Sequence, residues 1–450
     1  MGLFAIRILS VFALLLNGIF PPFQMVSATP RAQGTVIETV RKGDTLQKVA
    51  LRYRTDWKHL KRINGLTRNG LVPGQSLLVP GTRLKIRNGD SAWDISLRHG
   101  LNLRQLKKAN PGKRLSSLRP GTWLNIPQPR KRNISTGQFF VPTGVPEKDR
   151  QLLRRYRQVS RVGLFHIPIR PNGALGVRSF GTATSQIRRQ GQFAYPVVTN
   201  LTDQGFDDNL ARKVLSRPTA RKTLVDSIWH LLKANRFQGV MLDIEGLKPL
   251  DRKIFNRFLR ELSHKLHASG MEVTISVPPK QSPGAPAHSG AYDYPWIGRF
   301  ADRIFVMAYD WYIPPYTRSG PSAPYAEVKA TMKYASSVIP RHKLYLGIPL
   351  YAYEWVTGTN QGTAYSQSKA IEKAVDHGSV IHFDVQSRNS WFRYREKGKT
   401  RTVWFEDARS LSNKFQLVRN MGWAGMGGWQ MGLLFPQGEA LLEKQFRMVR

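Results

Sequence analysis

Beyond about residue 134, short and nearly continuous apolar runs alternate with longer segments of mixed polarity. Eight such runs stand out, at 137–141, 161–168, 192–198, 239–245, 272–277, 303–309, 343–350 and 423–430. Runs of this length, rich in Val, Ile, Leu and aromatic residues, read as strands buried on both faces. Several segments between them, such as 224–232 and 254–266, carry apolar residues at helical spacing. Buried strands separated by helices predict a parallel sheet, because parallel neighbours need a crossover connection. Eight strand–helix units over this length predict an α/β fold, a (β/α)8 TIM barrel. The stretch at about 356–401 breaks the rhythm. It is expected to form a small α+β insertion after strand 7, walling one side of a cleft.

The run at 239–245 ends in two acids. Alternation along a strand places Met241, Asp243 and Glu245 on one face and Val240, Leu242 and Ile244 on the other. The second set is apolar and suits packing under helices. The first puts two carboxylates together at the strand's C-terminal end, the catalytic end of a barrel of this kind. Burying like charges together is costly unless one is protonated or hydrogen-bonded. By spacing alone, the pair fits either acid/base chemistry or solvated carboxylates at a strand end.

Residues 36–127 hold an internal repeat. Val40-Arg41-Lys42-Gly43-Asp44-Thr45-Leu46 is echoed by Ile86-Arg87-Asn88-Gly89-Asp90-Ser91-Ala92. Leu60 and Asn64 match Leu106 and Asn110, and Pro73-Gly74 matches Pro120-Gly121 after one inserted residue. Gly-Asp-Thr and Gly-Asp-Ser are turn-plus-cap signals that start helices, and Pro-Gly turns precede a last strand. Each unit reads strand, helix, helix, strand. The pattern resembles the LysM domain, a βααβ module that binds N-acetylglucosamine-containing glycans through backbone and loop contacts, here at 36–80 and 84–127. Pro127 and the basic residues that follow make 128–133 a linker, and the barrel occupies 134–450.

The first 28 residues differ again. Arg7 precedes an apolar run from Ile8 to Phe20, then Pro21 and Pro22, then a small-x-small site at Val26-Ser27-Ala28. This layout predicts a secretory signal peptide over 1–28. The run is short for a bilayer span of about 20 residues. Cleavage would leave no stable membrane span; an uncleaved N-terminal anchor is the alternative. The expected location is therefore secreted, or associated with the cell wall or spore.

Charge and composition narrow the partners. The 450 residues carry a formal net charge of +40, which favours anionic polymers. Nucleic acid is not expected, because no nucleic-acid-binding motif accompanies the charge. An anionic wall polymer fits it better. The absence of cysteine excludes disulfides, thiolate metal sites and a thiol nucleophile.

Other strand ends add to the acid pair. The sixth run leads into Met307-Ala308-Tyr309-Asp310-Trp311, the seventh into Tyr351-Ala352-Tyr353-Glu354-Trp355, and the eighth into Gly427-Gly428-Trp429. Acids beside aromatic plates suit a sugar site, where pyranose C–H faces stack and hydroxyls hydrogen-bond. Tyr309, Trp429, Trp311 and Trp355 also admit a plain packing role.

Together these strand ends resemble glycoside hydrolase family 18. Gly239-x-x-x-Asp243-x-Glu245 is similar to the family signature, Met307-x-Tyr309-Asp310 to its sixth-strand motif, and Trp429 to the Trp flooring its sugar subsite. The architecture is similar to the LysM-bearing subgroup that degrades spore-cortex peptidoglycan fragments. The resemblance implies Glu245 as general acid/base and the substrate's 2-acetamido oxygen as nucleophile, an exception to the usual two-carboxylate scheme. It implies Asp243 and Tyr309 as further catalytic residues that orient the acetamido group. Asp310, Met307, Trp429, Trp311 and Trp355 would contact substrate. It implies no metal or cofactor, and a monomer is expected. The implied substrate is peptidoglycan or another N-acetylglucosamine-containing glycan, with a secreted chitinase or a non-catalytic glycan binder as alternatives. The chain departs from the signature at Gln238 and Met241, where family members carry acids. Met241 cannot share a proton with Asp243.

Overall fold

The computed structural model describes residues 34–449 apart from 285 and 434. The expected signal peptide lies outside the described residues. Among those described, no helix is long and apolar enough to cross a membrane.

Eight parallel strands close into a barrel: Arg132–Phe140, Arg161–Pro168, Phe193–Thr199, Gly239–Asp243, Glu272–Val277, Arg303–Val306, Leu344–Pro349 and Gly425–Trp429. The eighth pairs with the first through Gly425↔Ser135 to Gly428↔Gln138, which completes the circle. The TIM barrel is therefore present. Helices such as Pro218–Asn235 and Arg252–His267 cover the outside, and their apolar stripes meet the outward residues Val240, Leu242 and Ile244. The inward positions form a second apolar cluster of Phe139, Phe165, Tyr195, Val197, Met241, Phe305 and Tyr345.

Two strand bounds differ from the apolar pattern for physical reasons. The first strand begins at Arg132, because Asn133, Ser135 and Thr136 pair in the ladder although they are polar. The sixth stops at Val306. Beyond it, Ala308 N–H donates to Val306 O at 2.8 Å and Tyr309 N–H to Met307 O at 2.9 Å. Met307 N–H still donates to Val277 O at 2.9 Å, and the tight turns lift Ala308–Asp310 out of the ladder at the barrel mouth.

The insertion after the seventh strand is a five-stranded antiparallel sheet with the helix Gln367–Asp376. It begins at Tyr351 and ends at Phe405, wider than the polarity pattern indicates. Its hub is Glu354, which is 1% exposed. Glu354 accepts from Tyr394 at 2.6 Å, Tyr365 at 2.7 Å and Arg401 at 2.8 Å.

The repeat folds as two βααβ modules. The first comprises Thr35–Thr39, Leu46–Arg52, Trp57–Ile63 and Ser76–Pro80; the second Arg83–Lys85, Ala92–Arg98, Leu103–Lys108 and Trp123–Asn125. Thr45 and Ser91 cap their first helices by accepting from Lys48 and Asp94 N–H groups. Asn64 and Asn110 are buried equivalents. Each donates to a helix carbonyl and bonds both ways with its last strand, at Leu78 and Asn125 respectively. This explains why an Asn recurs at that register.

The modules exchange charges reciprocally. Arg41 of the first meets Asp90 of the second at 2.9 Å, and Arg87 of the second meets Asp44 of the first at 2.7 Å. Each Asp also binds an Arg of its own module, Arg98 at 2.7 Å and Arg52 at 2.6 Å. The segment after the second module is tied down rather than slack. Arg419 donates to Arg130 O at 2.8 Å, and Arg132 to Val418 O at 2.8 Å and Trp423 O at 2.9 Å.

Candidate active site

The strand ladder ends at Asp243, so Glu245 lies just past it. Its backbone is held from the side. Asn200, fully buried after the third strand, accepts from Glu245 N–H at 2.9 Å and donates to Glu245 O at 2.9 Å. Tyr292 donates to Ile244 O at 2.8 Å. These contacts replace ladder hydrogen bonds and aim the carboxylate without relying on a strand neighbour.

Asp243 is 4% exposed, and its Oδ1 has no hydrogen-bond partner among the described residues. Burial pushes its carboxyl up to about 7, against a smaller opposing influence of Ser276 on the neighbouring strand. Met241 beside it packs in the apolar barrel interior. Gly163 makes room there, since a Cβ at that position would lie 3.4 Å from the Met241 sulfur. Nothing at position 241 offers Asp243 a proton.

Burial, then the charges of Asp243 and Asp310, push the Glu245 carboxyl well above the ordinary range. A raised carboxyl keeps its proton to higher pH, which suits a general acid. Burial and the same cluster of acids also push the Tyr309 phenol up, so its hydroxyl keeps its proton and can donate.

Asp310 adopts φ 66°, a left-handed conformation that Asp tolerates better than most residues. Its Oδ1 accepts from Tyr351 at 2.5 Å, Tyr353 at 3.0 Å and Ser322 at 3.0 Å. Burial still leaves its pKa raised. The insertion thus reaches the site through its first strand, whose Tyr351 and Tyr353 share a face. That i, i+2 pair was visible in the sequence. The roles of Asn200, Tyr292 and Ser322 were not, because each acts on a partner distant in the chain.

Trp429 stands on the aromatic floor of the barrel, with ring centroids 5.1 Å from Phe139 and 4.8 Å from Phe165. It bridges the inner barrel cluster and the insertion cluster, and it stays partly exposed. Met307 is partly buried against the inner cluster, and Trp311 is partly buried with its backbone N–H donating to Ser322 O at 3.1 Å. Trp355 must be corrected as a sugar contact. It is 0% exposed, its indole N–H donates to Thr317 O at 3.0 Å, and it packs edge-on to Tyr353. The insertion sheet uses it as core and offers none of its face to the cleft.

A family model for "Glycosyl hydrolases family 18" matches residues 185–433, and the LysM model matches 39–80 and 84–127. The chain belongs to glycoside hydrolase family 18. It is 35% identical over 416 residues to YdhD of Bacillus subtilis (strain 168), covering 91% of this chain and 98% of that protein. That relative's name assigns it provisionally as a sporulation-specific glycosylase. The chain is 30% identical over 428 residues to a cortical fragment-lytic enzyme of the same organism, covering 92% and 99%. The crystal structure of the Bacillus cereus spore cortex-lytic enzyme SleL superposes with TM-score 0.83 at 27% identity, covering 92% of this chain and 98% of that one. This family 18 chain is therefore a glycosidase related to spore cortex-lytic enzymes, with LysM modules suited to cell-wall or spore glycan.

The raised Asp243 pKa has a consequence for stability. The folded state binds this proton more tightly than the unfolded state. The contribution to stability is complete below pH 3.8, the unfolded value, and is lost as pH rises to about 7. An Asp243→Asn protein is expected to show a flatter stability profile across that window, measured by urea unfolding at a series of pH values. Profiles that run parallel to the parent's would refute the assignment.

Proposed function

We propose that this glycosidase is an exported, wall-bound β-N-acetylglucosaminidase. It cleaves β-1,4 bonds of N-acetylglucosamine in peptidoglycan, including spore-cortex fragments. The observation that carries this reading is the cluster of buried Asp243 with half-buried Glu245, Tyr309 and Asp310 beside Trp429, in which the Glu245 carboxyl is pushed well above its ordinary range. The names of the cortex-lytic relatives favour peptidoglycan as the polymer.

In this mechanism the substrate's acetamido oxygen attacks C1. The C1–O bond breaks, and the Glu245 proton passes to the leaving oxygen. Glu245 then takes a proton from water, which opens the oxazolinium with configuration retained. Asp243 orients the acetamido N–H and offsets its developing positive charge. Tyr309 donates to the acetamido oxygen, Asp310 supports the same group, and Trp429 stacks under the sugar. Met307 and Trp311 border the subsite.

Mass spectrometry of products from purified peptidoglycan, cortex fragments and chitin oligomers tests this. New reducing N-acetylglucosamine ends are expected from the first two. Faster cleavage of chitin oligomers would favour a chitinase, and binding without turnover on all three would indicate a non-catalytic barrel.

A further inference from the structure

The second barrel strand leaves its ladder at the mouth. Its register steps from Phe165↔Val197 to Ile167↔Val198, so His166 is bulged out of the alternation. Phe165 belongs to the inner barrel cluster and Ile167 to the outer core. His166 Nδ1 lies 2.8 Å from Thr199 Oγ1, and Thr199 pairs with Asp243 on the next strand. The His166 and Trp429 rings each lie 4.8 Å from the Phe165 ring. His166 therefore stands on the cleft side, one ring away from the Trp429 plate. Thr199 is fully buried and its oxygen accepts from Leu201 N–H at 3.2 Å, so its hydroxyl proton is assigned to His166 Nδ1. Burial, then the Arg178 charge, pushes the imidazole down to about 4. The neutral ring then carries its own proton on Nε2, which remains as a donor.

The chain after this strand folds back over the mouth. Ile169 bridges Leu175, Arg170 N–H donates to Ala174 O at 2.8 Å, and Gly176 N–H donates to Pro168 O at 2.8 Å. The hairpin is seated on helix Pro218–Asn235, since a Cβ on Gly173 would fall 1.9 Å from Ala220 O. This path returns Val177 and Arg178 to the rim beside Pro168. Val177 is 95% exposed. Arg178 is exposed, its guanidinium lies 5.5 Å from the Phe180 ring centroid, and it makes no salt bridge among the described residues. The charge of Asp149 reaches it, but that carboxylate is buried and accepts from Thr143 N–H at 2.8 Å and from the Thr143 hydroxyl at 2.7 Å.

We propose that His166, Val177 and Arg178 form a rim subsite for a carboxylate carried on a sugar side chain, and that this subsite makes the cleft prefer acidic wall glycan to neutral chitin. The two polymers share the acetamido group and differ at the 3-oxygen of alternate sugars. There peptidoglycan carries a lactyl ether, a methyl beside a carboxyl that is free or extended by peptide. A guanidinium fork matches a carboxylate, Val177 matches the methyl, and His166 Nε2–H suits an ether or carboxylate oxygen. Neutral chitin offers Arg178 no charged partner. The inference deepens the wall-glycan reading above and rests on it.

Titration calorimetry tests it, with the full chain carrying Glu245→Gln so that bound sugars stay intact. The probes are chitotetraose and tetrasaccharides of alternating N-acetylglucosamine and N-acetylmuramic acid, the latter with free lactyl groups or with L-alanine attached. The parent is expected to bind an acidic probe about tenfold more tightly than chitotetraose, the size of a charge-assisted hydrogen bond. The preference should shrink as salt rises. A preference confined to one acidic probe assigns the lactyl or the peptide carboxylate as the source. Arg178→Ala is expected to remove most of the preference, Arg178→Lys to keep part of it, and His166→Phe to act in the same direction as Arg178→Ala. Lys333→Ala, which removes an exposed cation on an outer helix, should keep the parental ratio. A parent without preference would overturn the proposal. So would a parental ratio in Arg178→Ala or His166→Phe, or an equal loss of preference in Lys333→Ala. With Glu245 intact, a chain that binds with this preference but cleaves no probe sinks the catalytic reading alone. One that cleaves the probes but binds them all equally sinks this proposal alone.

Discussion

Replacing Glu245 with Gln is expected to lower hydrolysis of wall glycan by about 10³-fold, within the range of a lost general acid/base. Gln keeps the shape and can still hydrogen-bond, but it has no proton to give the leaving oxygen. Asn200 grips the backbone at this position, so the side-chain change should leave the loop in place. KM should stay close to parental, because the loss falls on a step made only in the transition state. Initial rates on soluble cortex fragments, with product anomers followed by NMR, would check it. Full activity in Glu245→Gln would remove Glu245 from the mechanism.

Substituting Lys414 by Met is expected to destabilise the fold by about 3–5 kcal/mol, the usual cost of orphaning a buried charge. Lys414 is 1% and Glu406 2% exposed, and the ammonium reaches both carboxylate oxygens, at 2.9 and 2.8 Å. Asn389 adds a third bond to Glu406 at 2.7 Å. Without the lysine, a buried carboxylate keeps only that neutral donor. Urea unfolding would measure the loss. A Glu406→Gln/Lys414→Met double variant should recover much of it, since no charge is then stranded. A single-variant loss below about 1 kcal/mol would place the pair among weak surface bridges and refute the expectation.

The pair shows where the sequence pattern stops. Helix Ala408–Met421 carries a polar run of Arg409, Ser410, Ser412, Asn413 and Lys414, for which the apolar pattern predicts no role. All five are buried. The second module covers them, with Asn413 donating to Leu97 O at 2.7 Å, and the insertion meets them through Arg388, which donates to Asn413 at 2.7 Å. Polarity in the sequence marked the need for partners, and in the fold those partners are protein rather than water. Trp355 is the converse case. A Trp near a strand end suited a sugar plate, and the insertion sheet buried it completely.

The sequence by itself determined the barrel, the paired modules and the strand ends that carry the acids. Alternation and apolar runs report which face of a strand is buried, and that is local information. It placed Met241 inside the barrel and Val240, Leu242 and Ile244 outside. Only the tertiary structure decided what holds Glu245, which tyrosines hold Asp310, and that the barrel's last helix grips the first module. Asn200 and Glu245 are 45 residues apart, and Gln437 and Asn64 are 373 apart. Hydrogen bonds over such separations arise from chain packing, and no periodicity of single positions encodes them.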